Sequence, residues 1–396
     1  MNEPTTGLHG KGDAVQLHSR KNDPLQSARL LAPLLSVLFL AAPADAQDDT
    51  RQRAKQAETP LEAIEILGGV IEYDEHNQPV TVSLFGSKAW TEDLVYLETL
   101  QTILALDLPN AIDDDGMQIV KKLKHLEALS LSQTRVGDEG LKQLTELKGL
   151  RVLLLAGSRV TDDGLALLKQ FPQLTRITLP NSTTDAGMQH VLEIKSLENL
   201  DLRYTQVTDE TFSHLDKLEN LTQLDIGRTR ITAESIPAIC RLSKLKWLRV
   251  ANAQQAAPAF HEFAKLTNLE LLWTPHTQVD TEVVKSWAPL TKLRVLNINN
   301  SMISDETLPH LAPFKELREL YISDNSITPA GVLSLPDFDH LEELTIITPH
   351  MNDEALAGLA KYKTLKVLRL RHAAHKGVTD EGIAKLRAAI PGLKIQ

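Results

Sequence analysis

Apolar residues along this chain fall into one spelling that returns at a fixed interval. Leu126-Glu127-Ala128-Leu129-Ser130-Leu131 opens a unit that runs on through Thr134, Val136, Asp138, Gly140 and Leu141 to Leu144 and Leu147. The spelling returns at Leu150, with Leu153 and Leu155 and then Val160-Thr161-Asp162-Asp163-Gly164-Leu165. Further units open at Leu174, Leu197, Leu221, Leu245, Leu269, Leu293, Leu317, Leu341 and Leu365, and Ile103 opens an earlier, degenerate one. From Leu197 to Leu365 the interval is 24 residues without exception; it is 23 after Ile103 and after Leu174, and 28 from Leu365 to Leu393. Twelve units result, with a partial one before them (Val80 to Leu84) and Leu393-Lys394-Ile395 after.

The period of two in L-x-L predicts a short strand whose leucines point into a core. The later L-x-x-L-x-x-L has helical spacing, so one helix face packs on those leucines. Between them Thr161-Asp162, Thr208-Asp209, Thr379-Asp380 or Ser304-Asp305 supplies an N-cap oxygen and a carboxylate at the positive end of the unit's own helix. A unit of this size cannot bury both faces alone, whereas stacked units share a continuous core. The predicted fold class is α/β, a right-handed solenoid horseshoe with a parallel sheet on its concave face and helices on its convex face. Thr59-Pro60-Leu61-Glu62 reads as a capping box, Leu61, Ile64 and Leu67 as a helical stripe, and Gly68-Gly69 as its stop. Val70 to Tyr73 and Val80 to Leu84 then suit a β-hairpin that covers the first apolar layer.

The repeats resemble the leucine-rich-repeat family, nearest to its ribonuclease-inhibitor-like subclass with a true helix in each repeat. More closely the chain is similar to secreted leucine-rich-repeat proteins of planctomycete-type bacteria. In those an opening I-x-x-L-G-G-x-V-x-x-D-x-x-G precedes repeats spelt V-T-D-x-G-L. Ile64 to Asp74 matches that opening, although Asn77-Gln78 stands where glycine is usual. The resemblance spans residues 59 to 396 and is specific for fold while nearly silent on activity.

The N-terminus carries a different pattern. Leu30 to Ala42 is an apolar run of thirteen residues, preceded by Arg20, Lys21 and Arg29 and followed by Ala44-Asp45-Ala46. Positive flank, short apolar run and A-x-A together predict a secretory signal peptide over residues 1–46, cut before Gln47. The run is shorter than the roughly 20 residues that span a bilayer, so no membrane span is expected after cleavage. Residues 47–58 then read as a flexible leader, 59–102 as the cap and first partial repeat, and 103–396 as the twelve repeats with a terminal strand. The expected location is outside the cytoplasm: periplasmic, cell-surface or extracellular.

Composition narrows the function. A net charge of −10 argues against nucleic acid, whose phosphates need a basic footprint. An aromatic share of 4% suits aliphatic ladders rather than a few large rings, and one cysteine, Cys240, excludes an intrachain disulfide. No phosphate-binding, dinucleotide-binding or nucleophile-elbow glycine motif occurs. His261-Glu262 begins like H-E-x-x-H, but lysine, Lys265, holds the second ligand position. Asp113-Asp114-Asp115-Gly116 resembles a calcium loop without its closing glutamate and aligns with the D-x-G of the repeats. His372 and His375 sit in the one insertion and are the remaining metal candidates. No catalytic residue, cofactor or metal site is expected, and residues 47–78 are too few for a catalytic domain beside the array.

The residue inside L-x-L forms a column expected to face concave solvent: Asp107, Ser130, Leu154, Thr178, Asp201, Asp225, Arg249, Trp273, Asn297, Tyr321, Thr345 and Arg369. Two positions earlier come Trp247, Leu271, Val295, Glu319, Glu343 and Val367, and two later Arg203, Gly227, Ala251 and onward. Aromatic residues and arginine on exposed strand positions dominate interface energetics. The expected partner surface is therefore Arg203, Asp225, Trp247, Arg249, Trp273, Asn297 and Tyr321. The function this predicts is a non-enzymatic scaffold for a protein or cell-surface ligand; the alternatives are a structural envelope component and the recognition arm of a ligase-type complex.

Overall fold

The computed structural model describes residues 45–396 apart from 324, 349 and 371–376; the apolar run at 30–42 and the pair His372 and His375 lie outside these residues. Among the described residues fifteen strands form one sheet in chain order. They are β1 (Val70–Tyr73), β2 (Pro79–Ser83), β3 (Ala105–Asp107), β4 (Ala128–Ser130), β5 (Val152–Leu154), β6 (Arg176–Thr178), β7 (Asn199–Asp201) and β8 (Gln223–Asp225). There follow β9 (Trp247–Arg249), β10 (Leu271–Trp273), β11 (Val295–Asn297), β12 (Glu319–Tyr321), β13 (Glu343–Thr345), β14 (Val367–Arg369) and β15 (Lys394–Ile395). β1 pairs antiparallel with β2, and every later neighbour is parallel. The β1–β2 turn is closed by Asp74, whose Oδ1 accepts from the N–H groups of His76 (2.9 Å) and Gln78 (2.8 Å). Asn77 there adopts a left-handed φ of 58°, a conformation Asn tolerates better than most residues.

Each strand from β3 to β14 buries its central leucine or isoleucine, from Leu106 and Leu129 through Ile177 and Leu248 to Leu368, against the helical layer. Burial of such a side chain contributes roughly 2 kcal/mol, and a register without slips keeps every one of them on the same face. Strands stack about 4.8 Å apart, whereas packed helices need about 8–10 Å. The sheet therefore lines the concave side and the helices the convex side.

The convex elements are shorter and tighter than a helix in each repeat implies. Asp138–Gln143, Asp185–Val191 and Thr281–Ser286 are α-helical, but the Leu245 unit has only the 3-10 stretch Ala257–Lys265 and the Leu293 unit only Leu308–Leu311. Pro258 and Pro309 lie in the first turn of those stretches, where a missing backbone donor is tolerated. Around the Leu245 unit large rings fill the layer: Phe260 and Phe263 stack 4.7 Å apart, and Trp287 donates through Nε1 to the Phe260 carbonyl at 2.8 Å.

The Thr-Asp pair does more than cap its own helix. Thr184 and Thr208 accept from the backbone of their own helices, but the aspartates reach to the next repeat. Asp138 accepts from Thr161 N (2.8 Å) and Oγ1 (2.7 Å), and Asp162, Asp185, Asp209, Asp305 and Asp353 do the same for Thr184, Thr208, Thr232, Thr328 and Thr379. This explains the glycine of D-x-G. A Cβ on Gly164 would stand 2.0 Å from Asp138 Oδ1, and one on Gly331 1.9 Å from Asp305 Oδ1. At two positions that face such an aspartate without glycine, a hydroxyl takes its place: Thr211 bonds to Asp185 and Ser235 to Asp209.

The leader is also corrected. Asp45–Ala54 is a helix, not a flexible segment. Arg51 ties it to the buried Asp93 (2.9 Å) and to Glu92 (3.1 Å), its guanidinium lies 5.7 Å from the Trp90 ring centre, and Ala54 is buried in the main core.

Candidate functional site

Parallel pairing in register sets side chains 24 residues apart side by side. On the C-terminal half of the sheet Asp201, Asp225, Arg249, Trp273, Asn297, Tyr321, Thr345 and Arg369 stand in one row, and Arg176, Asn199, Gln223, Trp247, Leu271, Val295, Glu319 and Glu343 in the row beside it.

A chain of polar and aromatic contacts runs along these rows. Arg203 grips Asp201 with Nε at 3.0 Å from both carboxylate oxygens and Nη2 at 2.6 Å. Its Nε is also 3.2 Å from Asp225, and Arg249 approaches the same Asp225 oxygen at 4.0 Å. The Arg249 guanidinium lies 5.5 Å from the centre of the Trp273 ring, and Trp273 meets Tyr321 with centroids 5.1 Å apart at 52°. The Tyr321 hydroxyl sits 2.9 Å from Glu319 and 2.7 Å from Glu343, so its one proton serves two carboxylates. Arg369 closes the line on Glu343 and, through Nε, on Gln396 at 3.2 Å.

Electrostatics divide this line into held and strained parts. The hydrogen bonds it donates to Asp201 keep the Arg203 guanidinium protonated above the ordinary arginine range. Asp225 receives a smaller share of that arginine: burial, and then the nearby Asp201 charge, push its carboxyl up to about 6. Burial, followed by the Glu343 and Glu319 contacts, raises the Tyr321 phenol well above its usual value. Arg176 at the start of the second row is shifted down by burial, and its Nε lacks a hydrogen-bond partner.

Of the residues expected on the partner surface, Arg203, Asp225, Arg249, Trp273 and Tyr321 are joined in this line, and Trp247 stands beside it, 40% exposed. Asn297 is not on the surface. It is 2% exposed on β11, between the two strands whose rings lean together, and its Oδ1 accepts from Asn299 N at 2.9 Å. The rows also fail to face solvent at the N-terminal end. Ala105, Ala128, Val152 and Leu154 pack into a second apolar cluster, separate from the main core, and Asp107 and Ser130 beside them are buried. Selection by aromatic and arginine content passed over Asp201, Glu319, Glu343 and Arg369. The available signal was opposite charge recurring at the repeat interval.

The other chemical candidates resolve into structure. Asp113 exchanges bonds with Thr91, and Asp114 accepts from Gly137 N at 2.7 Å. Lys265 and His261 both pair with Glu262 on an exposed face. Cys240 donates from Sγ to the Glu262 carbonyl at 3.3 Å, and burial pushes its thiol up to about 12. Among the described residues no group of three His, Cys, Asp or Glu is placed to hold a metal ion, and no helix is long and apolar enough to cross a membrane.

Residues 159–329 match the family described as a leucine-rich repeat region, and residues 122–144 match a second described as a leucine rich repeat. No curated protein matches the chain. Among solved structures, a chain of the yeast Rad7–Elc1 complex is similar at 16% identity with a TM-score of 0.54, covering 89% of this chain and 92% of that one. A leucine-rich-repeat protein of Leptospira interrogans is 20% identical (TM-score 0.49; 76% and 80% covered). An internalin of Listeria monocytogenes is 18% identical (TM-score 0.47; 76% and 94% covered). At 16% identity the likeness to the yeast chain speaks for the fold alone.

Proposed function

We propose that this leucine-rich-repeat protein is an exported, non-enzymatic scaffold that binds a protein or surface ligand through the concave face of its sheet, between Arg203 and Arg369. The observation that carries the reading is the line from Asp201 to Arg369, which puts arginine, tryptophan and tyrosine on one wall, pre-ordered by their own contacts. Pre-ordered side chains lose less entropy on association, and these residue types contribute most at interfaces. Seven strand spacings from β7 to β14 make a wall of about 34 Å, long enough for a standard interface of about 800 Å² per partner. Export rests on the signal-like pattern at 20–46.

The test is capture of secreted and surface proteins on the immobilised chain, side by side with a Trp247→Ala, Trp273→Ala variant. The variant is expected to lose at least tenfold in affinity for the captured partner while keeping its far-ultraviolet circular dichroism. Equal affinity in the two would sink the concave-face reading.

A further inference from the structure

We infer that the concave face carries a carboxylate-binding subsite at Arg176, and that the partner presents there an acidic residue four positions away, in an extended segment, from an apolar or aromatic residue seated on Trp247. The inference rests on the concave-face reading above and names the chemistry of what that face holds.

Among the described residues the Arg176 guanidinium has no hydrogen-bond acceptor and no ion pair, and its Nε is buried. A buried donor left without an acceptor costs about 1–3 kcal/mol, and structures seldom leave such a group unmatched without a reason. The charges around it do not remove the cost. Asp201 attracts it, but Asp201 is already gripped by Arg203, and both Arg203 and Arg249 repel it. Three guanidinium groups thus face two carboxylates, Asp201 and Asp225, and the deficit is one negative charge. A carboxylate supplies that charge in the planar geometry arginine binds best. A polyanion does not fit, because the chain as a whole carries −10 and repels extended negative charge.

The spacing comes from the sheet. Arg176, Asn199, Gln223 and Trp247 stand in register on β6, β7, β8 and β9. The floor between the ends is polar and closed on itself, with Asn199 Nδ2 donating to Gln223 Oε1 at 2.5 Å. Three strand spacings separate Arg176 from Trp247, about 14 Å. An extended chain covers that distance in about four residues. Trp247, 40% exposed, offers aromatic surface at the far end.

The probe is the labelled peptide acetyl-Glu-Gly-Ser-Gly-Trp-amide, with its Gln-for-Glu counterpart as control, read by fluorescence anisotropy at low salt on the full chain. The Glu peptide is expected to bind about tenfold tighter than the Gln peptide. Arg176→Gln is expected to erase that difference without changing affinity for the Gln peptide, while Arg176→Lys, which keeps the charge, retains part of it. Equal binding of the two peptides, lost in Trp247→Ala, would overturn the carboxylate subsite and leave the concave-face reading standing. Binding indifferent to both Arg176→Gln and Trp247→Ala, or no binding of either peptide, would overturn the subsite; indifference to both changes together with an unaffected natural partner would overturn the concave-face reading as well.

Discussion

The bridge between Asp138 and Thr161 gives a sharp test of what holds neighbouring repeats together. A methyl group at Gly164 would place Cβ 2.0 Å from Asp138 Oδ1, 2.7 Å from its Cγ and 2.9 Å from Val160 Cγ1. Asp138 must then swing away and give up its bonds to Thr161 N and Oγ1, at 2.8 and 2.7 Å. Both bonds are exposed, so they contribute at the low end of what a carboxylate acceptor offers, about 2–3 kcal/mol together. Against that, alanine gains up to about 1 kcal/mol over glycine inside a helix. Gly164→Ala is therefore expected to destabilise by about 1–2 kcal/mol. Gly164→Ser should cost less, because Ser235 occupies the same place three bridges on and donates to Asp209 while that carboxylate keeps Thr232 at 2.9 and 2.7 Å. The measurement is urea unfolding of the full chain, with hydrogen exchange of residues 161–165 as the local readout. A double-mutant cycle completes it: in an Asp138→Ala background Gly164→Ala should be neutral or stabilising. An alanine variant as stable as the parent, or a cost unchanged by removing Asp138, would refute the steric account.

Two further outcomes follow from the site and the cap. Asp225 holds its proton more tightly folded than unfolded, with a carboxyl near 6 against the ordinary 3.8. Its contribution is therefore full below pH 3.8 and lost as pH rises through 6, an upper bound on the order of 3 kcal/mol. Asp225→Asn is expected to melt higher than the parent at pH 8 and at the same temperature near pH 4; a lower melting point at pH 8 would contradict the desolvation argument. At the N-terminus, Arg51→Ala leaves the buried Asp93 without its cation. Amide exchange over residues 49–55 should rise at least tenfold with β3–β14 unchanged, and protection equal to the parent would mean that Ala54 and the Lys88–Thr50 hydrogen bond seat the helix without it.

The repeat interval determined most of the fold. Leucines at 24-residue intervals, alternating with period two, dictate both which residues form strands and which neighbours they meet, because a parallel pair tolerates no slip that would turn its leucines to solvent. That is why the two rows of concave residues are legible in the sequence. What stands within those rows was not legible, since it depends on side chains that choose among partners at equal register. Arg203 had Asp201 and Asp225 within reach and took the first, which leaves the second short of charge. Trp273 and Tyr321 lean toward each other from strands two apart, and Asn297 between them is withdrawn from solvent. The Thr-Asp spelling looked local, a helix cap, because sequence order hides a neighbour 23 residues away that stacking brings to hydrogen-bond distance. The polar spelling of 47–58 likewise gave no sign of a helix, which exists because Arg51 and Ala54 find partners on the cap. Local pattern and periodicity set the backbone of this protein; the partition of charge and the tilt of rings were decided only when the repeats closed on one another.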